Sequence, residues 1–194
     1  MSLFPQSGCR ATLKAMRAYR LVSPAPYQMA LEPFDLPETP PAGAVLVAAV
    51  TTAVSAGTEV ANYRGITTYR TATTGNPYYP GYSFAGTVLA VGEGVTGLRP
   101  GDRVAGAAPH ASHALISEPM RLVPIPESVG FDQAALSTLG CIVLNAVRLA
   151  QIQLGESVAV VGGGLIGQLA GQLARLSGGR PVVCLEPLAR RRAV

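Results

Sequence analysis

The chain has 194 residues, of which 48% are hydrophobic and 13% charged, and its 22 glycines and 16 prolines follow no fixed period. This composition excludes collagen-like and charge-rich disordered chains, and it indicates a turn-rich globular fold with a hydrophobic core. The formal net charge of +4 comes from scattered basic residues and a short run near the end, while tryptophan is absent and aromatic residues make up 6%, so we expect no nucleic-acid partner.

The first part of the sequence is typical of β-structure. Residues 14–22 predict a first strand, and the repeated prolines between residues 24 and 41 exclude long helices before residue 42. Residues 44–54 are small, β-branched and apolar, which predicts a buried strand. This strand runs into a turn formed by Ser55, Ala56, Gly57 and Thr58. We expect the chemistry of this β-rich part to be clustered near that turn.

Further strands are predicted at residues 83–91 and after a turn at residues 98–102, with no helix between the strands. Helical spacing of apolar residues begins only at residues 131–150, where Gly140 predicts a bend or break. The predicted fold class is therefore α/β with a β-rich first part. No internal repeat and no Ser/Gly linker separates the two parts, so we expect them to share an interface.

A glycine motif follows the apolar strand predicted at residues 157–161 and precedes a helix predicted at residues 168–176. Glycines at these points permit a tight turn, close approach of the backbone to a pyrophosphate and close packing of helix on strand. The amides at the helix N-terminus then face the phosphates. The predicted dinucleotide-binding residues are Gly162, Gly163, Gly164, Leu165, Ile166 and Gly167.

An acidic residue completes this pattern, because Glu186 ends the next predicted strand, residues 181–185. At that position a carboxylate can accept a hydrogen bond from the ribose 2′-OH of NAD and repel the 2′-phosphate of NADP. Arg190 and Arg191 follow closely, and Arg191 offers an alternative partner for a phosphate. The sequence favours NAD over NADP and leaves NADP open.

Two segments give a specific resemblance. Residues 81–88 (GYSFAGTV) and 91–104 (VGEGVTGLRPGDRV) resemble the central signature of the medium-chain dehydrogenase/reductase superfamily, and the likeness extends over essentially the whole chain. The resemblance implies a GroES-like β-barrel catalytic domain, taken as residues 1–140, and then the first part of a Rossmann domain, taken as residues 141–194. It also implies that substrate and nicotinamide meet in the cleft between them. Since a Rossmann domain of this family has more strands, the chain is expected to be truncated.

The sequence departs from the zinc-dependent members of that superfamily at two ligand positions. Ala56 stands where the resemblance places a cysteine thiolate, and Tyr82 stands where it places a histidine imidazole. Cys141 matches a third ligand position of some members, but a small buried thiol is the favoured interpretation. The four-cysteine lobe that holds structural zinc is missing as well. We therefore expect no metal.

Without zinc, a carbonyl under reduction still needs a proton donor and charge stabilisation. The resemblance makes Thr58 the first candidate, because it matches the hydroxyl residue that relays protons in zinc-dependent relatives. Tyr82 is the second candidate, Glu59 either orients the two hydroxyls or faces solvent, and Ser55 is expected to line the pocket. A purely structural role stays open for both hydroxyl groups.

The remaining polar residues indicate no second site. Cys9, Cys141 and Cys184 lack any C-x-x-C spacing and are expected to be reduced thiols. His110 and His113 are expected in a loop or at the barrel rim. Neither a membrane span nor a convincing signal peptide is found, so a cytoplasmic location is expected.

Residues 54–59 (VSAGTE), 63–65 and 78–82 also resemble bacteriochlorophyllide dehydrogenase-like proteins, a subgroup with many substrates, and the metal-free members of the superfamily include quinone oxidoreductases. The resemblance implies an NAD(P)-dependent oxidoreductase that transfers hydride between nicotinamide and a small-molecule carbonyl, alcohol or activated alkene, with a homodimer expected for the full-length protein. The loss of zinc ligands favours reduction. The alternative is a degenerate, non-catalytic paralogue that acts as a binding or scaffold protein.

Overall fold

The computed structural model describes residues 14–66 and 77–192, so Cys9 lies outside the described residues. The described chain has a β-rich first part and ends in a strand–helix–strand unit. The strands are β1 Ala15–Val22, β2 Ala30–Pro37, β3 Val45–Thr52, β4 Phe84–Val91, β5 Arg103–Gly106, β6 His113–Ile116, β7 Val123–Pro124, β8 Val158–Val161 and β9 Val182–Leu185, and the helices are α1 Ala56–Tyr63, α2 Phe131–Ala134, α3 Ser137–Leu149, α4 Leu165–Leu176 and α5 Ala189–Arg192.

The core of the first part is a five-stranded antiparallel sheet in the order β6-β3-β4-β5-β7. The central strands are buried on both faces where they begin, since Val45 and Val47 of β3 belong to one buried cluster and Leu46 between them belongs to another. Strands β3 and β4 approach so closely that a Cβ added at Gly86 would lie 2.2 Å from the carbonyl oxygen of Ala48. The buried cluster consists of Val45, Val47, Phe84, Val88, Val104, Ala108 and Leu122.

Strands β1, β3 and β4 confirm the strands predicted at residues 14–22, 44–54 and 83–91. Strand β2 is not predicted, because its prolines indicate breaks. Among the residues that the structure describes, β2 pairs with β1 alone, in antiparallel register that places Pro33 opposite Tyr19. A strand with one partner needs hydrogen-bond donors on one side only, so it tolerates prolines.

The helices correct two predictions. The expectation that no helix separates the early strands is wrong, because α1 begins where a turn was expected and runs for eight residues. The break expected at Gly140 is also wrong, since Gly140 lies inside α3 and the helical segment is interrupted instead between Ala134 and Ser137. The expected domain boundary after residue 140 falls within α3 and stays a prediction.

The strand–helix–strand unit has parallel strands, with Val158 opposite Val182 and Val161 opposite Leu185. This confirms the predicted change from antiparallel β-structure to an α/β unit. Helix α3 contacts both β5 and α4, and it thereby joins the two parts of the chain. Across residues 14–66 and 77–192, no helix combines the length and the apolar character needed to span a membrane.

Candidate active-site cleft

A cleft with a volume of about 790 Å³ lies between the start of α1 and the glycine turn after β8. The structure thus brings together two sequence segments that lie about a hundred residues apart. Most of the predicted catalytic and cofactor residues border it. The residues that line it include Ser55, Ala56, Gly57, Thr58, Tyr82, Gly162, Gly164, Leu165, Ile166, Gly167 and Arg191.

The glycine turn has the geometry that the motif predicts for its first and last members. Gly162 has a φ of 101°, which side-chain-bearing residues rarely adopt. A Cβ added at Gly167 would lie 1.7 Å from the carbonyl oxygen of Gly162, so the first turn of α4 packs directly on the loop backbone. Gly164 is the N-cap residue of α4, and a Cβ added there would meet nothing within 4 Å. The space beyond the helix N-terminus is therefore open.

Glu186 holds this turn in place from the end of β9. Its side chain is only 3% exposed, and its Oε2 accepts a hydrogen bond of 2.7 Å from the backbone N–H of Gly163. Its Oε1 accepts one of 2.9 Å from the N–H of Leu188. The hydrogen bond from Leu188, followed by that from Gly163, holds the pKa of Glu186 below its ordinary value against the opposing effect of burial. The carboxylate is therefore charged at neutral pH.

Two arginines of α5 surround this carboxylate. The Arg191 guanidinium lies 3.8 Å from Oε2 of Glu186, is half exposed and borders the cleft. Arg192 donates hydrogen bonds of 2.7 and 2.8 Å to the carbonyl oxygens of Glu186 and Pro187. One guanidinium is thus bound to the backbone, and the other faces the cleft.

The opposite wall carries three hydroxyl groups. Thr58 is exposed in the first turn of α1, Ser55 is the buried N-cap residue of that helix, and Tyr82 is half-buried in the segment before β4. All three border the cleft. The neighbouring Ser83 donates its hydroxyl hydrogen bond to the carbonyl oxygen of Ala135, which fixes the Tyr82 segment against the end of α2.

Glu59 points away from the cleft. It is buried, with Oε1 accepting a hydrogen bond of 2.7 Å from the N–H of Ser55. Its Oε2 lies 2.7 Å from Nε2 of His110. The alternative in which Glu59 faces solvent is therefore wrong. Sequence reasoning missed the pair with His110, because the two residues are 51 positions apart and follow no common motif.

The remaining candidate ligands are dispersed. Cys141 is exposed rather than buried, because it lies on the outer side of α3, so that expectation is wrong. His113 lies on β6, where partial burial lowers the pKa of its imidazole. Within the described ranges, no three His, Cys, Asp or Glu side chains lie close enough together to hold a metal ion.

Comparisons with known proteins give a consistent result. Residues 41–120 match the alcohol dehydrogenase GroES-like domain. The chain is similar to D-guloside 3-dehydrogenase of Escherichia coli (strain K12), with 31% identity over 113 residues that cover 57% of this chain and 32% of that protein. It is also similar to trans-enoyl reductase grgB of Penicillium sp, with 37% identity over 128 residues that cover 55% of this chain and 36% of that protein. The chain thus spans about a third of the length of these relatives.

Solved structures show the same fold. A quinone oxidoreductase of Pseudomonas syringae pv. Tomato DC3000 matches with a TM-score of 0.73 and 26% identity, covering 91% of this chain and 55% of that one. A short chain alcohol dehydrogenase (rspB) of E. coli CFT073, complexed with NADH, matches with a TM-score of 0.73 and 23% identity, covering 90% of this chain and 58% of that one. Because each match covers at least 90% of this chain, both extend well past residue 120.

Proposed function

We propose that this chain, which belongs to the medium-chain dehydrogenase/reductase superfamily, carries the active-site cleft of an NAD(P)-dependent oxidoreductase that works without catalytic zinc. It would transfer hydride between nicotinamide and a small-molecule carbonyl, alcohol or activated alkene. The observation that carries this proposal is the cleft itself, in which a glycine turn at a helix N-terminus faces the hydroxyl groups of Thr58 and Tyr82.

The residues of the turn fit a dinucleotide. The open space at Gly164 admits a phosphate to the N-terminus of α4, where free backbone N–H groups and the helix dipole favour negative charge. Leu165 and Ile166 form the first turn of that helix and border the cleft beside Gly167. A bound nicotinamide supplies or accepts the hydride, and the chain binds it, orients it and excludes water.

The hydroxyl residues supply what hydride transfer to a carbonyl still needs. Thr58 is exposed to the cleft and would donate a hydrogen bond to the substrate oxygen, with Tyr82 as a second donor. Ser55 lines the same wall. Ala56 and Tyr82 occupy the positions where zinc-dependent members carry ligands, and this is the basis for a metal-free mechanism. The relatives named as quinone oxidoreductase and trans-enoyl reductase support a reductive reaction.

We propose NAD as the preferred cofactor. The lowered pKa of Glu186 keeps its carboxylate charged at neutral pH, and a negative charge at the end of β9 repels a 2′-phosphate. Arg191 is half exposed and borders the cleft. Its guanidinium is the alternative partner, which would bind the 2′-phosphate of NADP. We expect fluorescence titration of the native protein to give an NADH affinity at least about tenfold above that for NADPH, a difference of about 1.4 kcal/mol.

The variant Arg191→Ser separates the two cofactors further. It is expected to leave NADH binding within about twofold of wild type, because NADH has no 2′-phosphate for the Arg191 guanidinium to bind. Tighter binding of NADPH that Arg191→Ser abolishes would reverse the assignment. Failure of both cofactors to bind at millimolar concentration would leave the non-catalytic paralogue as the better description.

A cytoplasmic location and a homodimer are part of the same proposal, since both are expected for enzymes of this class. Light scattering of the native protein on a sizing column measures its oligomeric state. A mass of one chain at micromolar concentration would contradict it.

A further inference from the structure

We propose that His110 is a positioning residue of the cleft, because it holds together the two segments that present its hydroxyl groups. These segments are the helix start at Ser55–Thr58 and the segment before β4 that carries Tyr82. The catalytic meaning of this link rests on the proposed function, while the link itself rests on contacts within the described residues.

The ring of His110 is bound at both nitrogens in the interior. Its Nε2 lies 2.7 Å from Oε2 of Glu59, and its Nδ1 lies 2.9 Å from Oγ1 of Thr52 at the end of β3. The residue is 6% exposed. Because a carboxylate oxygen can only accept, we assign the proton to Nε2, and the threonine hydroxyl can act as donor or acceptor at Nδ1. Every polar atom of the ring is therefore engaged.

Glu59 transmits this contact to the start of α1. The side chain of Ser55 makes no capping hydrogen bond, and the N–H of Ser55 donates instead to Oε1 of Glu59 at 2.7 Å. This resembles the return hydrogen bond of a capping box. One carboxylate thus ties the helix start to His110, and Thr58 immediately precedes Glu59 in sequence.

The backbone of His110 binds the second segment. Its N–H donates a hydrogen bond of 2.8 Å to the carbonyl oxygen of Pro80. Gly81 has a φ of 96°, and a Cβ added there would lie 2.5 Å from the backbone nitrogen of His110 and 2.7 Å from its Cγ. Gly81 is therefore packed tightly against His110, and Tyr82 is the next residue.

The link has a mechanistic consequence because catalysis depends on the position of hydrogen-bond donors. A displacement of about 1 Å at a reacting group costs up to about a hundredfold in rate. Replacing the ring would leave the Glu59 carboxylate buried with only the Ser55 N–H as partner, which is unfavourable. We expect the helix start and the Tyr82 segment to loosen together, although they are more than 20 residues apart in sequence.

Hydrogen exchange of the full-length native protein tests this link directly. In His110→Leu, we expect amide exchange to rise at least about tenfold in peptides covering residues 53–60 and 79–84, with little change around β8 and β9. His110→Gln retains a donor toward Glu59 and is expected to restore most of the protection. Thr52→Val removes only the partner of Nδ1 and is expected to give a smaller rise in exchange in the same two peptides. This variant replaces His110→Leu in the test if His110→Leu does not fold.

The control is Asp35→Leu, which breaks the exposed ion pair of 3.6 Å with Arg17 on β1 and β2. It is expected to leave both cleft peptides unchanged. A rise in only one of the two peptides, a uniform rise over the whole sheet, or no recovery in His110→Gln would overturn the link.

Activity adds a second readout. With NADH and 9,10-phenanthrenequinone as the probe carbonyl, His110→Leu is expected to lower kcat at least about tenfold while NADH affinity stays within about twofold. The hydrogen bonds described for His110 are with Thr52, Glu59 and Pro80, on the hydroxyl-bearing side of the cleft. A loss of NADH affinity equal to the loss of kcat would contradict the positioning role. Failure of the wild-type protein to bind any nicotinamide would refute the proposed function, while the exchange pattern would still decide on the link.

Discussion

At the scale of single residues, the glycine turn contains positions at which a side chain collides with backbone and positions at which it does not. Gly167 and Gly171 both lie in α4, one turn apart. A Cβ at Gly167 would lie 1.7 Å from a carbonyl oxygen, whereas a Cβ at Gly171 would first meet the Val182 side chain at 4.0 Å. The two positions therefore form a matched pair for testing the turn.

We predict that Gly167→Ala weakens NADH binding at least about tenfold and destabilises the fold by about 1–3 kcal/mol, because the backbone of Gly162 must move away. Gly171→Ala is expected to be neutral or to stabilise by up to about 1 kcal/mol through helix propensity. Urea unfolding and fluorescence titration measure the two quantities. Equal behaviour of the two variants would contradict the close packing of the turn.

Glu186 gives a prediction about pH. Its pKa is lowered in the folded protein, chiefly by the N–H of Leu188 and then of Gly163. The unfolded chain therefore binds a proton at higher pH than the folded one, so the carboxylate contributes stability above the ordinary glutamate pKa of about 4.3. That contribution is lost as the pH falls through the lowered value.

We expect Glu186→Gln to unfold at lower urea concentration than wild type at pH 7. The difference between the two midpoints should shrink steadily as the pH is lowered from about 5 to about 3. Urea titrations at several pH values measure it. A difference that stays constant over this range would show that the charge of Glu186 contributes nothing to the fold.

At the scale of elements, α3 is a continuous helix that contacts both parts of the chain. Gly140 lies in its first half, and a Cβ added there would meet nothing within 4 Å. A glycine in a helix interior costs about 0.5–1 kcal/mol relative to alanine. Alanine at this position should therefore make the folded state more stable.

We predict that Gly140→Ala raises the free energy of unfolding by about 0.5–1 kcal/mol and leaves cofactor affinity unchanged. Thermal and urea unfolding measure the gain. A loss of stability would mean that a side chain is not tolerated at this position of α3.

The same elements show what local patterns can predict. The strands at residues 44–54 and 83–91 are read correctly, because their apolar β-branched residues match the buried sheet that they form. Strand β2 is missed, because Pro33 is tolerated only by a strand with a single neighbour, and this is a property of the sheet rather than of the segment. Helix α1 is missed, because the capping contact of Glu59 is visible only when its oxygen atoms are placed.

At the scale of the whole molecule, the sequence indicates the two walls of the cleft separately, and the fold brings them together. Thr58, Tyr82 and the glycine turn are each recognisable from local spacing and from the family resemblance. The link between Glu59 and His110 is not, since a contact between two distant loop and helix residues follows from tertiary packing alone. The sequence therefore identifies residues that belong to a motif, whereas residues that hold them in position through tertiary contacts, such as His110, are missed.

The metal content of the purified protein tests the departure from zinc-dependent relatives. Ala56 and Tyr82 cannot supply a thiolate and an imidazole, so we expect native protein purified without chelator to contain less than about 0.1 zinc per chain. Plasma mass spectrometry measures this, and treatment with EDTA should leave NADH affinity unchanged. Stoichiometric zinc would contradict the metal-free mechanism.

The carboxylate of Glu186 joins the loop after β8 to the loop after β9 through Gly163 and Leu188. Both loops are thus pre-organised, and an arriving dinucleotide does not have to fix their backbone dihedral angles. The conformational entropy that a disordered loop would lose is already lost during folding, so more of the contact energy is expressed as affinity. Association should accordingly show single-phase kinetics that depend linearly on cofactor concentration, with no slow step of loop closure.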